Sequence, residues 1–299
     1  MASSTVLDEL VKLLALERLE ENLFRGQSQD LGWHTVYGGQ VLGQALSAAV
    51  QTVPPDRHVH SLHAYFLRVG DVTRPIVYDV DRIRDGGSFT TRRVVAIQNG
   101  KPIFNLAASF QADESGFEHH DPMPEVPRPE TLRTEQDIAR PHLHRFPDSM
   151  KARAIGERPF EHRPIPTGTP GEENIFTPPK MPPTRMMWLR TVARLPDDPA
   201  LHRYLLAYAS DHGLITTALL PHGATWLSGQ FQVASLDHVM WFHQPFRVDE
   251  WLLYVLDSPA AHGARGLARG RVFTEDGRLV ASVMQEGLLR KRDHKSKHA

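Results

Sequence analysis

Asp211 follows directly on the apolar run Leu205-Leu206-Ala207-Tyr208-Ala209 and Ser210. A carboxylate on or beside a buried helix face is costly to desolvate unless it is paired or functional, which makes Asp211 a candidate functional residue. The alternative is a local cap, because His212-Gly213 and a further helical turn come next. His58, His60 and His63, with His119-His120, invite a metal reading. No acidic partner stands at a recognised spacing from them and no His-Glu-x-x-His occurs, so no metal site is assigned. The absence of cysteine excludes thiolate ligands, disulfides and a cysteine nucleophile.

The elements that must position such groups appear twice. A short amphipathic helix is predicted behind Ser4, with Leu7, Leu10, Val11 and Leu14 on one face. A second helix is predicted over 37–50, with Gly38-Gly39 at its start, where glycine permits close approach of another backbone. Strands follow at 60–68, 76–83, 88–98 and 101–111, with Asp85-Gly86-Gly87 and Asn99-Gly100 as turns. About two-thirds of the 23 prolines then crowd into 115–199, which excludes long helices or central strands there. From the end of that stretch the order repeats: a strand at 185–192, a helix at about 200–220, and strands at 228–242, 251–258, 264–274 and 278–289. Sliding the copies by about 175 residues sets Ser61-Leu62-His63 near Ser235-Leu236-Asp237 and nearly superposes Asn99-Gly100 on Asp276-Gly277. The expected organisation is a first unit over 1–114, a proline-rich linker over 115–184, a second unit over 185–291 and a basic, disordered tail over 292–299. Helix followed by antiparallel sheet, twice over, is an α+β class.

Charge and hydropathy narrow the partners. A formal net charge of −1 argues against nucleic acid or an anionic membrane surface as the main partner. No apolar run approaches the roughly 20 residues that span a bilayer, so no stable membrane insertion is expected. A cytoplasmic location is expected over a peroxisomal one, because the chain closes on Ser296-Lys297-His298-Ala299 and not on Ser-Lys-Leu.

Several runs resemble the type II acyl-CoA thioesterase family: 23–27, 36–45 (Val-Tyr-Gly-Gly-Gln-Val-Leu-Gly-Gln-Ala), 59–67, 84–89, 97–104, 206–211, 237–243 (Asp-His-Val-Met-Trp-Phe-His) and 285–287. The resemblance implies a double hotdog, two units in which a curved antiparallel sheet wraps a helix, joined into one continuous sheet. It implies hydrolysis of acyl-CoA to free acid and coenzyme A, with no metal or organic cofactor, and assembly into a homodimer or homotetramer. It also implies a catalytic set of an Asp, a Ser or Thr, and a Gln, at Asp211, Ser235 and Gln285.

By residue type alone, Ser235 reads as an ordinary satisfied strand hydroxyl and Gln285 as a solvent-facing strand amide. No Gly-x-Ser-x-Gly elbow surrounds Ser235, so its implied role is to hold a water, with Asp211 as base and the Gln285 amide orienting the same water. His60 aligns roughly with Ser235 between the copies and is carried as a secondary active-site candidate; Gly38 and Gly39 are carried as a substrate-binding backbone platform at a helix N-terminus. The sequence does not single out the arginines that meet the coenzyme phosphates: Arg92-Arg93 and Arg269 to Arg271 are offered, against the ordinary reading that alternating strand charges face solvent. Two other readings remain open: an acyl-CoA-sequestering module without turnover, and a hotdog enoyl-CoA hydratase using the adjacent Asp211-His212.

Overall fold

In the computed structural model, residues 4–167 and 174–292 are described. Helix α1 (Thr5–Leu14) buries Leu7, Leu10 and Leu14, as its periodicity predicts, and Ser4 takes the N-cap position without a side-chain cap bond. Strands β1 (Glu17–Glu20) and β2 (Leu23–Gly26) precede helix α2 (Gly38–Val50). Every residue of α2 from Gly39 to Ala49 is buried, as expected of a helix enclosed on all sides. Its polar residues are satisfied: Gln44 Nε2 donates to the carbonyls of Leu13 and Gln27, and Gln44 Oε1 accepts from the Tyr78 hydroxyl. Strands β3 (His58–Phe66), β4 (Ile76–Asp85), β5 (Phe89–Gln98) and β6 (Lys101–Gln111) complete the first unit.

The proline-rich stretch carries short elements only, α3 (Glu135–Ala139), α4 (Asp148–Ile155) and β7 (Phe160–Pro164). β7 pairs with β8 (Thr184–Thr191) and lies at the sheet edge, where a missing proline N–H is tolerated. Helix α5 (Pro199–Ser210) starts on Asp198, whose carboxylate accepts from Ala200 N, with proline at the first helical position. Strands β9 (Phe231–Ser235), β10 (Asp237–Phe242), β11 (Leu252–His262), β12 (Arg265–Thr274) and β13 (Leu279–Lys291) follow.

All strands belong to one sheet ordered β1-β2-β4-β5-β6-β3-β10-β13-β12-β11-β8-β7, with β9 alongside β13. The halves repeat each other in topology: β4-β5-β6-β3 flanked by β2 and β1, and β11-β12-β13-β10 flanked by β8 and β7. They meet at the antiparallel β3–β10 seam, from Asp237 opposite Tyr65 to Trp241 opposite Ser61. A single apolar core joins α2, α5 and the strands of both halves. This is the double hotdog. Of the expected basic tail, Arg292 is held to Gln230 by a backbone hydrogen bond, and 293–299 lie outside the described residues.

Two predicted elements are broken, and both breaks matter. The helix expected over 200–220 ends at Ser210 and resumes as a 3₁₀ segment at Ile215–His222. Gly213 adopts φ +77°, the left-handed turn that stops a helix, and its carbonyl accepts from the hydroxyls of Thr216 and Thr217. The strand expected over 228–242 is interrupted at Leu236, where the Asp237 carboxylate takes the N–H of Glu286 at 2.6 Å. Ser235 stands opposite Gly287, while Val239 stands opposite Met284, a bulge-like offset of one residue.

Candidate active site

The C-terminus of α5 meets the N-terminus of α2. Asp211 caps α5, and its carboxylate accepts the backbone N–H of Gly39 at Oδ2, 3.1 Å. The end of α5 repels a negative charge and the start of α2 attracts one, so the helix facing Asp211 offsets the unfavourable dipole of its own. Gly38 and Gly39 make that approach possible. A Cβ on Gly38 would stand 2.7 Å from Asp211 Oδ2, and one on Gly39 would run into the Tyr208 carbonyl and the Tyr37 ring. One turn further along, Gly43 faces the Tyr204 carbonyl and Tyr208 Cβ, so it serves the contact between the two helices.

Gln285 on β13 ties the group together. Its Nε2 lies 2.7 Å from Asp211 Oδ1, 3.1 Å from Ser235 Oγ and 3.2 Å from His238 Nδ1. The carboxylate dictates the amide's orientation, since the reverse would set two acceptor oxygens face to face. Gln285 is fully buried, and its Oε1 has no partner among the described residues. Asp211, Ser235 and Gln285, scattered along the second half of the chain, therefore converge. The bulge at Leu236 accounts for part of this: residues three apart on an unbroken strand point to opposite faces, yet Ser235 and His238 both reach Gln285.

His238 is the group that sequence reasoning missed, although it lies in one of the runs that carry the resemblance. It is fully buried, and burial pushes its pKa down to about 4 against the opposing pull of Asp211. Its Nε2 is 2.9 Å from Ser210 Oγ, and that hydroxyl gives its only proton to the Ala207 carbonyl at 2.8 Å. Ser210 Oγ must then accept, so His238 carries its proton on Nε2 and presents a bare Nδ1 to Gln285. The 4.0 Å separation of Nδ1 from Asp211 Oδ1 is accordingly not an ion pair at neutral pH. Tyr254 steadies the same corner by donating its hydroxyl to the Ser210 carbonyl at 2.7 Å.

The other candidates fall elsewhere. His60 bonds Ser109 Oγ at 2.8 Å and packs edge-on to Phe89, inside the first unit. His212 turns away from Asp211 to Glu135. Superposing Gly100 on Gly277 puts Ala108 where Gln285 stands, so the first unit lacks the amide. The arginines offered for coenzyme phosphates already face carboxylates: Arg92 to Asp85, Arg93 to Asp81, Arg269 to Asp257 and Arg271 to Asp121. Arg92 is buried besides, and holds both the hydroxyl and the carbonyl of Thr52. A small open cleft is lined by Trp33, Tyr37, Arg153, His162, Tyr208 and His212, among others. It borders Asp211 in the chain but is not lined by Asp211, Ser235 or Gln285.

Comparison with known proteins agrees with this architecture. Residues 151–288 match the family model described as acyl-CoA thioesterase, and residues 28–111 match the acyl-CoA thioesterase N-terminal domain. Acyl-CoA thioesterase 2 of Haemophilus influenzae is 44% identical over 287 residues, covering 96% of this chain and 99% of that protein. Human acyl-coenzyme A thioesterase 8 is 42% identical, over 93% of this chain and 88% of that one. The crystal structure of the acyl-CoA thioesterase II TesB2 from Mycobacterium marinum superposes with a TM-score of 0.77 at 42% identity, covering 95% and 99% of the two chains. With these likenesses running through both halves, the chain belongs to the acyl-CoA thioesterase family.

Proposed function

We propose that this chain hydrolyses acyl-CoA with a water held between Asp211, Ser235 and Gln285. Family membership supplies the reaction, acyl-CoA and water giving free acid and coenzyme A. The observation that supports these residue roles is the approach of Gln285 Nε2 to both Asp211 Oδ1 and Ser235 Oγ within hydrogen-bond distance.

The Asp211 carboxylate takes a proton from the water as its oxygen attacks the thioester carbonyl carbon. Ser235 Oγ and the Gln285 amide aim that water, and the partnerless Oε1 of Gln285 is the acceptor for its second hydrogen. Of the first N–H groups of α2, Gly39's goes to Asp211 and those of Gln40 and Val41 to the Tyr37 carbonyl. The remaining one, Gly38's, is the donor for the developing oxyanion. The tetrahedral intermediate collapses with cleavage of the C–S bond, and the proton held by Asp211 passes to the departing thiolate. His238 touches Gln285 and not the water, so it is a positioning residue.

The hydratase reading loses its pair, because His212 faces Glu135. We place the enzyme in the cytoplasm as a homodimer or homotetramer, to be measured by fractionation and sedimentation. No helix among the described residues is long and apolar enough to cross a membrane.

The test is thiol release across acyl-CoA chain lengths by the wild type, Asp211→Asn, Ser235→Ala and Gln285→Ala. Asp211→Asn should lower kcat by about 10²–10⁴-fold with the fold intact. Full turnover by a properly folded Asp211→Asn would remove the assignment. Tight binding of acyl-CoA without thiol release by the wild type would favour sequestration instead.

A further inference from the structure

A second cluster of polar groups lies on the far side of Asp211. Glu135 begins α3, His162 sits in the middle of β7, and His212 follows Asp211. One carboxylate oxygen and one ring nitrogen from each histidine all lie within 4.8 Å of one another. Glu135 Oε1 is 2.8 Å from His212 Nε2, and Arg158 holds the other carboxylate oxygen at 2.8 Å. The two imidazoles face each other, centroids 4.3 Å apart and 31° from parallel.

His162 is the telling member. It is 7% exposed, and neither of its ring nitrogens has a partner among the described residues. A neutral imidazole carries one N–H and one lone pair, and burying both without partners forfeits their hydrogen bonds to water with nothing in return. A ring kept only for packing against Phe160 would gain nothing from its two nitrogens. None of the three is among the histidines whose spacing in the chain invites a metal reading, His58, His60, His63, His119 and His120.

We propose that Glu135, His162 and His212 form a binding site for a divalent transition-metal ion of the zinc type. Two imidazoles and one carboxylate are a set that zinc and its neighbours accept, whereas calcium and magnesium prefer all-oxygen surroundings. The ion takes Glu135 Oε1 in place of the hydrogen bond to His212, while Arg158 keeps the carboxylate oriented through the other oxygen. The open cleft that His162 and His212 help to line provides an entry path and room for a water as a further ligand. Arg153 and Arg158 line it too, and their positive charge makes the affinity lower than that of an anionic thiolate site. The ion would staple the segment between the two units, through α3 and β7, to the residue that follows the catalytic carboxylate.

The test uses full-length protein stripped by a chelator and dialysed. Co²⁺ is followed by the visible absorption of an imidazole-ligated ion, and Zn²⁺ by competition with a chromophoric chelator across the nanomolar to micromolar range. One equivalent should bind, and Zn²⁺ should raise the midpoint of thermal unfolding. His162→Val, His212→Leu and Glu135→Gln should each weaken Zn²⁺ binding by more than about tenfold and abolish the thermal shift. His212 and Glu135 are only partly buried, so their variants decide the matter if His162→Val fails to fold. Replacing the exposed His119 and His120 should leave the equivalent in place. Absence of binding in the micromolar range, or binding that survives substitution at 135 and 212, would overturn the site.

Discussion

Gly39 donates its backbone N–H to Asp211 Oδ2 across 3.1 Å, so the first unit, which has no counterpart of Gln285, still holds the carboxylate of the second. The unequal halves are thus joined at the carboxylate we propose as the base. The start of α2 in one supplies a dipole and a donor, and the C-terminal end of α5 in the other supplies the carboxylate.

That junction predicts different outcomes for two adjacent glycines. Gly39→Ala drives its Cβ into the Tyr208 carbonyl, which is backbone and cannot swing aside, so it should part α2 from α5 and cost about 1–3 kcal/mol. Gly38→Ala pushes mainly on the Asp211 side chain, so kcat should fall by about 10²-fold with a smaller loss of stability. Urea unfolding and steady-state kinetics separate the two effects. A Gly39→Ala protein as stable and as active as wild type would contradict the close packing.

Ser210→Ala removes the acceptor that fixes the His238 tautomer and strands a buried N–H. A stability loss of about 1–3 kcal/mol is expected, together with a lower kcat and an unchanged KM. Nitrogen chemical shifts of the imidazole should report the Nε2–H form in the wild type and a mixture in the variant. An unaltered tautomer would show that Ser210 does not set it.

His238 predicts the acid limit of the fold. Its pKa in the native protein is pushed down to about 4, while an imidazole in the unfolded chain titrates near 6.5. Between those values the unfolded chain holds a proton that the native one refuses. The contribution is therefore fully present above about pH 6.5, declines as pH falls towards 4, and levels off below that, a loss of roughly 3 kcal/mol. Urea titrations at several pH values should show this slope, and His238→Gln should remove about one proton's worth of it. Identical slopes in the two proteins would refute the buried neutral imidazole.

Much of the architecture was legible in residue pattern. The apolar stripe of α1 and the turns at Asn99-Gly100 and Asp276-Gly277 are local signals, and each corresponds to an element in the fold. The duplication followed from their order, and the resemblance in the matched runs pointed to Asp211, Ser235 and Gln285. Gly38-Gly39 announced a close approach of backbones without saying that Asp211 would be the neighbour.

Convergence was decided only in three dimensions. Two interruptions carry it: the left-handed turn at Gly213, which ends α5 so that Asp211 becomes its cap, and the break at Leu236, which turns Ser235 and His238 to one amide. Neither shows in a period of 3.6 or 2.0, because each depends on long-range partners, the helix facing Asp211 and the Glu286 N–H claimed by Asp237. The tautomer of His238 and the gathering of Glu135, His162 and His212 are of the same kind. Residue type offers the donors and acceptors; which ones meet is set by how the two halves close around their helices.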